Sequence, residues 1–408
     1  MKFEIICIGE ELLKGNVLNA NAAFLSKSLT SEGYLVQSHR VVTDEEPQIK
    51  AALQLSMEKA DGIILTGGLG PTLDDLTKKT IAAFFGRELR LNSSLLEKLK
   101  EKYQNHPAIQ EQAMVLDKAE VFFNDVGSAP GMVFLEKKKW IILLPGVPFE
   151  MEKLWERKVF PYLLQKEPIP KKRKVIAYHL CLLKEIEVDK VLRNLQKKHP
   201  EVEIGIYPDL LHTHVTFAFE KEPKGLKEEF EKTFSTYIFS KDSESLPQIL
   251  QNLFLEKKWT LALAESCTGG KIASLITENA GASQFFLGSI VTYSNSTKEK
   301  LLNVSTKTLK EKGAVSKETA REMLEGLLKA TNADYGIAVT GIAGPDGGTK
   351  EKPVGTVFIA MGTKEKNKVG KFYFPKDRIE IIKATQQFAL ASLWRFIKFK
   401  KEPFSNDV

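Results

Sequence analysis

The chain has 408 residues, 43% of them hydrophobic and 27% charged, with a formal net charge of +7; that length exceeds one ordinary core and predicts about two to three domains. The composition is that of a globular protein, and no apolar run reaches the ~18 residues that span a bilayer, so no membrane-spanning helix and no membrane partner are expected. The start MKFEIICIG lacks the basic segment of a secretory signal, and Cys7, Cys181 and Cys267 lack C-x-x-C spacing, so they read as reduced thiols of a cytoplasmic protein.

From residue 1 to about 168, the apolar runs FEIICI, GIILTGG and WIILLPG alternate with helix-length amphipathic stretches, Asn21 to Ser31 and Pro47 to Lys59. Strands alternating with helices predict an α/β domain whose largely parallel sheet is covered on both faces. Thr66, Gly67, Gly68 and Gly70 follow the run GIIL, where glycines let the backbone approach a phosphate closely. Asp74 and Asp75 come next. They read either as oxygen ligands for a divalent cation or as cap and dipole partner of a helix start. At Lys166 to Arg173 two prolines and a basic run predict the first linker. Basic runs such as Lys171-Lys172-Arg173-Lys174 account for much of the positive charge and carry no aromatic residues among them, so no nucleic-acid partner is expected.

Residues 174–242 read as a small α+β module: KVIAYHLCLL as a strand, EIEVDKVLRNLQKKH as a helix, HTHVTFAFE as a strand with period-2 alternation, then a charged helix from Gly225 to Tyr237. The polar stretch Lys241 to Pro247 predicts the second boundary, and over 246–401 the strand–helix alternation resumes, ending in an aromatic-rich helix from Ala384 to Lys400. In this last domain LALAESCTGG places Ser266 on the turn between a buried strand and a helix from Lys271. The unpaired amides of a helix start can hold a phosphate or an oxyanion. Lys298 is a candidate base for Ser266, because a desolvated lysine loses its proton more easily. Tyr293 is placed to relay a proton or orient that amine, and the amides of Thr268 and Gly269 to form an oxyanion hole. Plainer readings stand beside these: Ser266 as a helix N-cap, Lys298 as a surface residue, and the glycines of GIAGPDGG as turns. Each segment follows an apolar strand-like run, and strand ends on one edge of an α/β sheet converge on one crevice.

The motifs AESCTGG, VTYSN with Lys298, GAVS at 313–316 and VTGIAGPDGGTKEKPVGTV at 339–357 resemble the C-terminal domain of the CinA family, which is similar to nicotinamide mononucleotide deamidases. The resemblance implies hydrolysis of the carboxamide of nicotinamide mononucleotide to nicotinate mononucleotide and ammonia, without a cofactor. It implies Ser266 as nucleophile, Lys298 and Tyr293 as proton-handling residues, and Thr340 as a polar residue of the pocket. Thr268, Gly269, Gly270, Asn295, Gly341, Gly344 and Arg378 are implied in substrate binding. Where the family has a second arginine shortly after its D-R pair, this chain has Ile382 followed by Lys383.

In the first domain the GEELLKG and TGGLGPTLDD motifs, with GSAPG at 127–131 and LPGVPFEM at 144–151, resemble the CinA N-terminal domain, similar in fold to molybdopterin-binding domains of the MoaB and Mog type. The implied activity is hydrolysis of the pyrophosphate of ADP-ribose with a divalent metal, with Thr66, Gly67, Gly68 and Gly70 at the substrate and Asp74, Asp75 and Glu150 at the metal. The alternative is a pterin- or nucleotide-binding module without turnover; an interaction protein in DNA uptake is a further one. Glu10 stands where the family commonly has Thr or Asp. The middle module resembles the family's KH-like segment, without a basic G-x-x-G loop, and reads as a spacer or dimerisation element. A homodimer acting on small-molecule nucleotides is expected.

Overall fold

Successive side chains of a strand face opposite ways, so a strand buried on both sides must lie inside a two-faced sheet. Strand Lys2–Ile8 is of this kind in the computed structural model, which describes residues 1–400 and 404 apart from 73–74, 105, 107, 169–173 and 242–243. Its Ile6 and Ile8 join one core with Ile63, Leu65, Ile141 and Leu143, whereas Phe3, Ile5 and Cys7 join another with Ile64, Ile142 and Leu144. Helices Glu46–Lys59 and Thr77–Phe85 cover the first face through Ile49, Leu53 and Ile81; helices Ala20–Ser31 and Pro148–Leu154 cover the second through Leu25, Leu29 and Met151. Each such side chain stabilises the fold by about 1.5–3 kcal/mol.

This sheet belongs to the first of two compact units, residues 1–173. Its strand order is Leu35–Val42, Lys2–Ile8, Gly62–Thr66, Lys139–Leu144, Gly131–Glu136, Glu120–Phe122. The first four are parallel and the last two antiparallel. The hairpin joining Gly131–Glu136 to Lys139–Leu144 turns on Lys137 and Lys138, both at positive φ, where a turn of this type ordinarily takes Asn-Gly. The linker expected at 166–173 lies outside the described residues over 169–173.

The second unit, residues 174–408, holds two sheets. The smaller is antiparallel, in the order Glu203–Asp209, His212–Phe219, Lys174–Cys181, Ile238–Ser240. Strand His212–Phe219 alternates between half-buried and buried as its sequence predicts, and helices Glu185–Lys198 and Leu226–Thr233 cover its buried side. The five-stranded sheet runs Phe286–Val291, Leu261–Glu265, Tyr335–Gly341, Thr356–Gly362, Asn367–Tyr373, the first three parallel and the last two antiparallel. On one face Leu261, Leu263, Ile337 and Val339 pack on helices Leu246–Lys257 and Arg378–Phe399, in a core that also takes in Cys181 and Phe239 of the smaller sheet. On the other, Ala262, Ala264, Ala338 and Ala360 admit helix Lys317–Thr331 closely. That helix seats Gly326 so tightly that an added Cβ would stand 1.8 Å from the Leu302 carbonyl oxygen.

Candidate active site

Strand Leu261–Glu265 is central, and the chain leaves it to build Phe286–Val291 on one side and Tyr335–Gly341 on the other. Such a reversal opens a crevice at the carboxyl ends of the strands. The register puts Glu265 opposite Val291 and Val339, so Ser266, Thr292 and Thr340 are the first residues past the aligned ends. The ladder continues one step further: the Ser266 amide donates to the Val339 carbonyl and the Thr292 amide to the Glu265 carbonyl.

Lys298 arrives from helix Asn295–Leu302, which is capped by Ser294 accepting from the Thr297 amide. With Leu302 four residues on, Lys298 forms the inward face of that helix and is 1% exposed. Its Nζ lies 2.9 Å from Ser266 Oγ and donates to the Thr292 carbonyl at 2.6 Å. No carboxylate pairs with this amine among the described residues. Burial therefore holds the Lys298 amine below its ordinary range, opposed only by the neighbouring Cys267 thiol. Ser266 does not cap the following helix, whose N-cap is Gly270 at positive φ; its hydroxyl faces the lysine.

The amides around Ser266 are arranged differently from the sequence expectation. The Gly269 amide donates to the Ser266 carbonyl at 3.1 Å and is committed to the turn. The amides of Gly270, Ile272 and Ala273 all donate to the carboxylate of Glu265, at 3.1, 3.1 and 3.0 Å. The helix-start anion site that the sequence offered to a substrate is filled by the protein's own carboxylate, which is fully buried and also accepts from Thr268 Oγ1 and Ser289 Oγ. The amides of Cys267 and Thr268 have no backbone acceptor among the described residues, the Cys267 amide meeting only its own thiol, so they replace Thr268 and Gly269 as the pair placed to meet an oxyanion. Sequence reasoning missed Glu265. Its signal was an acidic residue closing a run of wholly buried strand positions, where a charge needs several partners.

Tyr293 stands 62% exposed at the rim, with its hydroxyl accepting from Arg378 Nη2 at 2.9 Å rather than reaching Lys298. Arg378 Nη1 donates to the Gly344 carbonyl, tying the GPDGG loop to the rim. Thr340 is buried and donates to the Ala314 carbonyl, which holds the GAVS segment. Gly341 lies against Cys267, where a Cβ would come within 3.1 Å of its Sγ. Asn295 is exposed as the first residue of its helix.

In the first unit Thr66, Gly67, Gly68, Gly70, Asp75 and Glu150 line one cavity of about 480 Å³. Gly67 and Gly68 have positive φ, and a Cβ on Gly67 would stand 2.2 Å from the Ile8 carbonyl oxygen, so the loop accepts only glycine there. Asp75 lies before the helix, which starts at Thr77 with no side-chain cap bond; one carboxylate oxygen accepts from the Thr72 amide and hydroxyl. Glu150 accepts from Asn124 Nδ2. Among the described residues no three His, Cys, Asp or Glu side chains converge to hold a metal, and Asp74 lies outside those residues. Two residues without an assigned role stand here: Asn21, which lines the cavity and donates to the Gly146 carbonyl, and Asn124, which lies behind Glu150 and whose carbonyl accepts from the Val126 and Gly127 amides. Among the described residues no helix is long and apolar enough to cross a membrane.

Comparison with known proteins places these sites in context. Residues 243–397 match the family described as "CinA C-terminal domain", and residues 4–165 the one described as "Probable molybdopterin binding domain". The chain is 38% identical to a CinA-like protein of Thermotoga maritima, over 97% of this chain and 98% of that protein. It is 36% identical to a CinA-like protein of Geotalea uraniireducens, over 96% of each. Among solved structures, a CinA protein of Thermoplasma acidophilum is 36% identical over 41% of this chain and 98% of that one, with a TM-score of 0.38.

Proposed function

The chain belongs to the CinA family, and on that premise we propose that its second unit is a serine amidohydrolase that converts nicotinamide mononucleotide to nicotinate mononucleotide and ammonia. The observation that carries this reading is the buried Lys298 amine, 2.9 Å from Ser266 Oγ and without a paired carboxylate among the described residues. A neutral lysine donates one hydrogen to the Thr292 carbonyl and turns its lone pair to the Ser266 hydroxyl. Ser266 Oγ adds to the carboxamide carbon as Lys298 takes its proton. The oxyanion meets the Cys267 and Thr268 amides, and the proton passes to the departing nitrogen as ammonia leaves. Water then cleaves the ester of nicotinate mononucleotide with Ser266, with Lys298 taking a proton from the water and returning one to Ser266. Arg378, at the rim, is the candidate for the substrate phosphate. Rapid acid quenching during turnover, followed by intact-mass analysis, tests this: a nicotinate mononucleotide acyl adduct on Ser266, with the ribose phosphate still attached and absent from Ser266→Ala, is expected. Turnover that persists in Ser266→Ala would sink it.

The cavity of the first unit favours a second reading, hydrolysis of the ADP-ribose pyrophosphate, because a glycine loop and carboxylates line one space. The described carboxylates do not by themselves make a metal site, so the divalent cation expected from the family is part of this proposal. AMP release from ADP-ribose that requires an added divalent cation supports it. Binding of ADP-ribose without turnover under every metal tried would leave a nucleotide-binding module.

A further inference from the structure

We propose that Glu265 is a positioning residue of the amidase: its buried carboxylate gathers the turn 266–270 and the following helix so that Ser266 Oγ is presented to Lys298. This inference rests on the amidase reading above. Glu265 is 0% exposed and precedes the nucleophile directly. Its Oε2 accepts from Thr268 Oγ1 at 2.7 Å and from the Gly270 and Ile272 amides; its Oε1 accepts from the Ala273 amide and Ser289 Oγ.

Five donors from three segments thus converge on two oxygens. A carboxylate accepts at about four lone-pair sites, and no neutral side chain of the same length offers that many. Glutamine retains one carbonyl oxygen but would aim an NH₂ group at amides or a hydroxyl that themselves donate. One end of the cradle would open, and Gly269 and Gly270, at φ 60° and 89°, give the turn no side chains to resist it. Misplacing a reacting atom by about 1 Å can lower turnover 10²-fold.

The charge acts as well as the shape. The carboxylate sits against the positive end of the helix dipole, and Cys267, beside it, feels Glu265, Lys298 and Arg378 together, the charged groups that surround this turn. With the carboxylate gone, the turn beside Lys298 loses a negative charge, and that loss disfavours a protonated amine. The rising acid limb of the rate profile then moves to lower pH, a change that loosened packing alone does not produce.

The test compares full-length wild type, Glu265→Gln, Thr268→Val and Ser289→Ala by nicotinamide mononucleotide turnover against pH and by the rate of Ser266 labelling with a fluorophosphonate, read by mass. Expected for Glu265→Gln is a roughly 10²-fold loss in kcat and in labelling rate, KM within about twofold, and an acid limb shifted down by roughly half a pH unit. Thr268→Val and Ser289→Ala each remove one donor, and a roughly tenfold loss in kcat is expected from each; they decide the matter if Glu265→Gln does not fold. Single-donor variants with wild-type kcat and labelling would overturn the proposal, as would a folded Glu265→Gln whose loss lies in KM. A wild type that turns over no nicotinamide mononucleotide yet is labelled at Ser266 removes only the substrate assignment, because the labelling rates still judge Glu265. A wild type neither active nor labelled overturns the amidase reading and this inference together.

Discussion

At the scale of single residues the site depends on an amine kept from water. The unfolded chain holds the Lys298 proton to about pH 10.4, whereas burial lowers the folded value. Between the two, the unfolded state binds more protons, so this group's contribution to stability rises with pH and is most unfavourable on the acid side. Replacing Lys298 with Met should therefore lower kcat by ~10² to 10⁴-fold. It should also raise Tm relative to wild type by an amount that shrinks as pH increases from 7 towards 10. Thermal unfolding scans of both proteins across that range check this; a constant difference would show that Lys298 is charged in the folded protein. The serine and the lysine were legible in the sequence through the resemblance to the CinA family together with the placement of their segments at strand ends. Their partners were less so. Nothing in the spacing told that Tyr293 would meet Arg378, 85 positions away, or that Glu265 would take the amides of the helix start.

Elements show where periodicity suffices and where it does not. The strand His212–Phe219 and the helices Ala20–Ser31 and Glu46–Lys59 lie within a residue or so of their sequence limits, because alternation and amphipathic spacing reflect burial directly. Strand Gly131–Glu136 was missed. Its turn is Lys137-Lys138, with no glycine or asparagine to mark it. Two lysines at positive φ are strained, so Lys138→Gly should stabilise the first unit by about 1 kcal/mol, measured by urea unfolding. The final helix begins at Arg378, six positions before the expected Ala384, because Asp377 caps it by accepting from the Glu380 amide. Packing between elements gives a further prediction. Gly326→Ala forces a Cβ onto the Leu302 carbonyl, and a loss of about 1–3 kcal/mol is expected in the same assay. Leu302 ends the helix that carries Lys298, so kcat should fall with it.

Over the whole molecule, the α/β class and the resumption of strand–helix alternation near 246 could be read from sequence, while the sharing of cores could not. Cys181 and Phe239 lie before that boundary yet pack with Leu246, Leu250 and Trp394 beyond it. No local pattern reveals such long-range contacts. A fragment 174–408 should accordingly fold and keep the proposed amidase activity, and a fragment 246–408, which loses Cys181 and Phe239 from its core, should be less stable by thermal unfolding. Equal stability of the two would show that the shared core contributes little.

The central claim is a serine and a lysine performing amide hydrolysis without a metal. Ammonia release from nicotinamide mononucleotide by the full-length protein, beside Ser266→Ala and in the presence of a chelator, tests it most directly. Release by the wild type that the chelator leaves unchanged and Ser266→Ala abolishes is the predicted result. Release that disappears with the chelator, or that survives in Ser266→Ala, would contradict it.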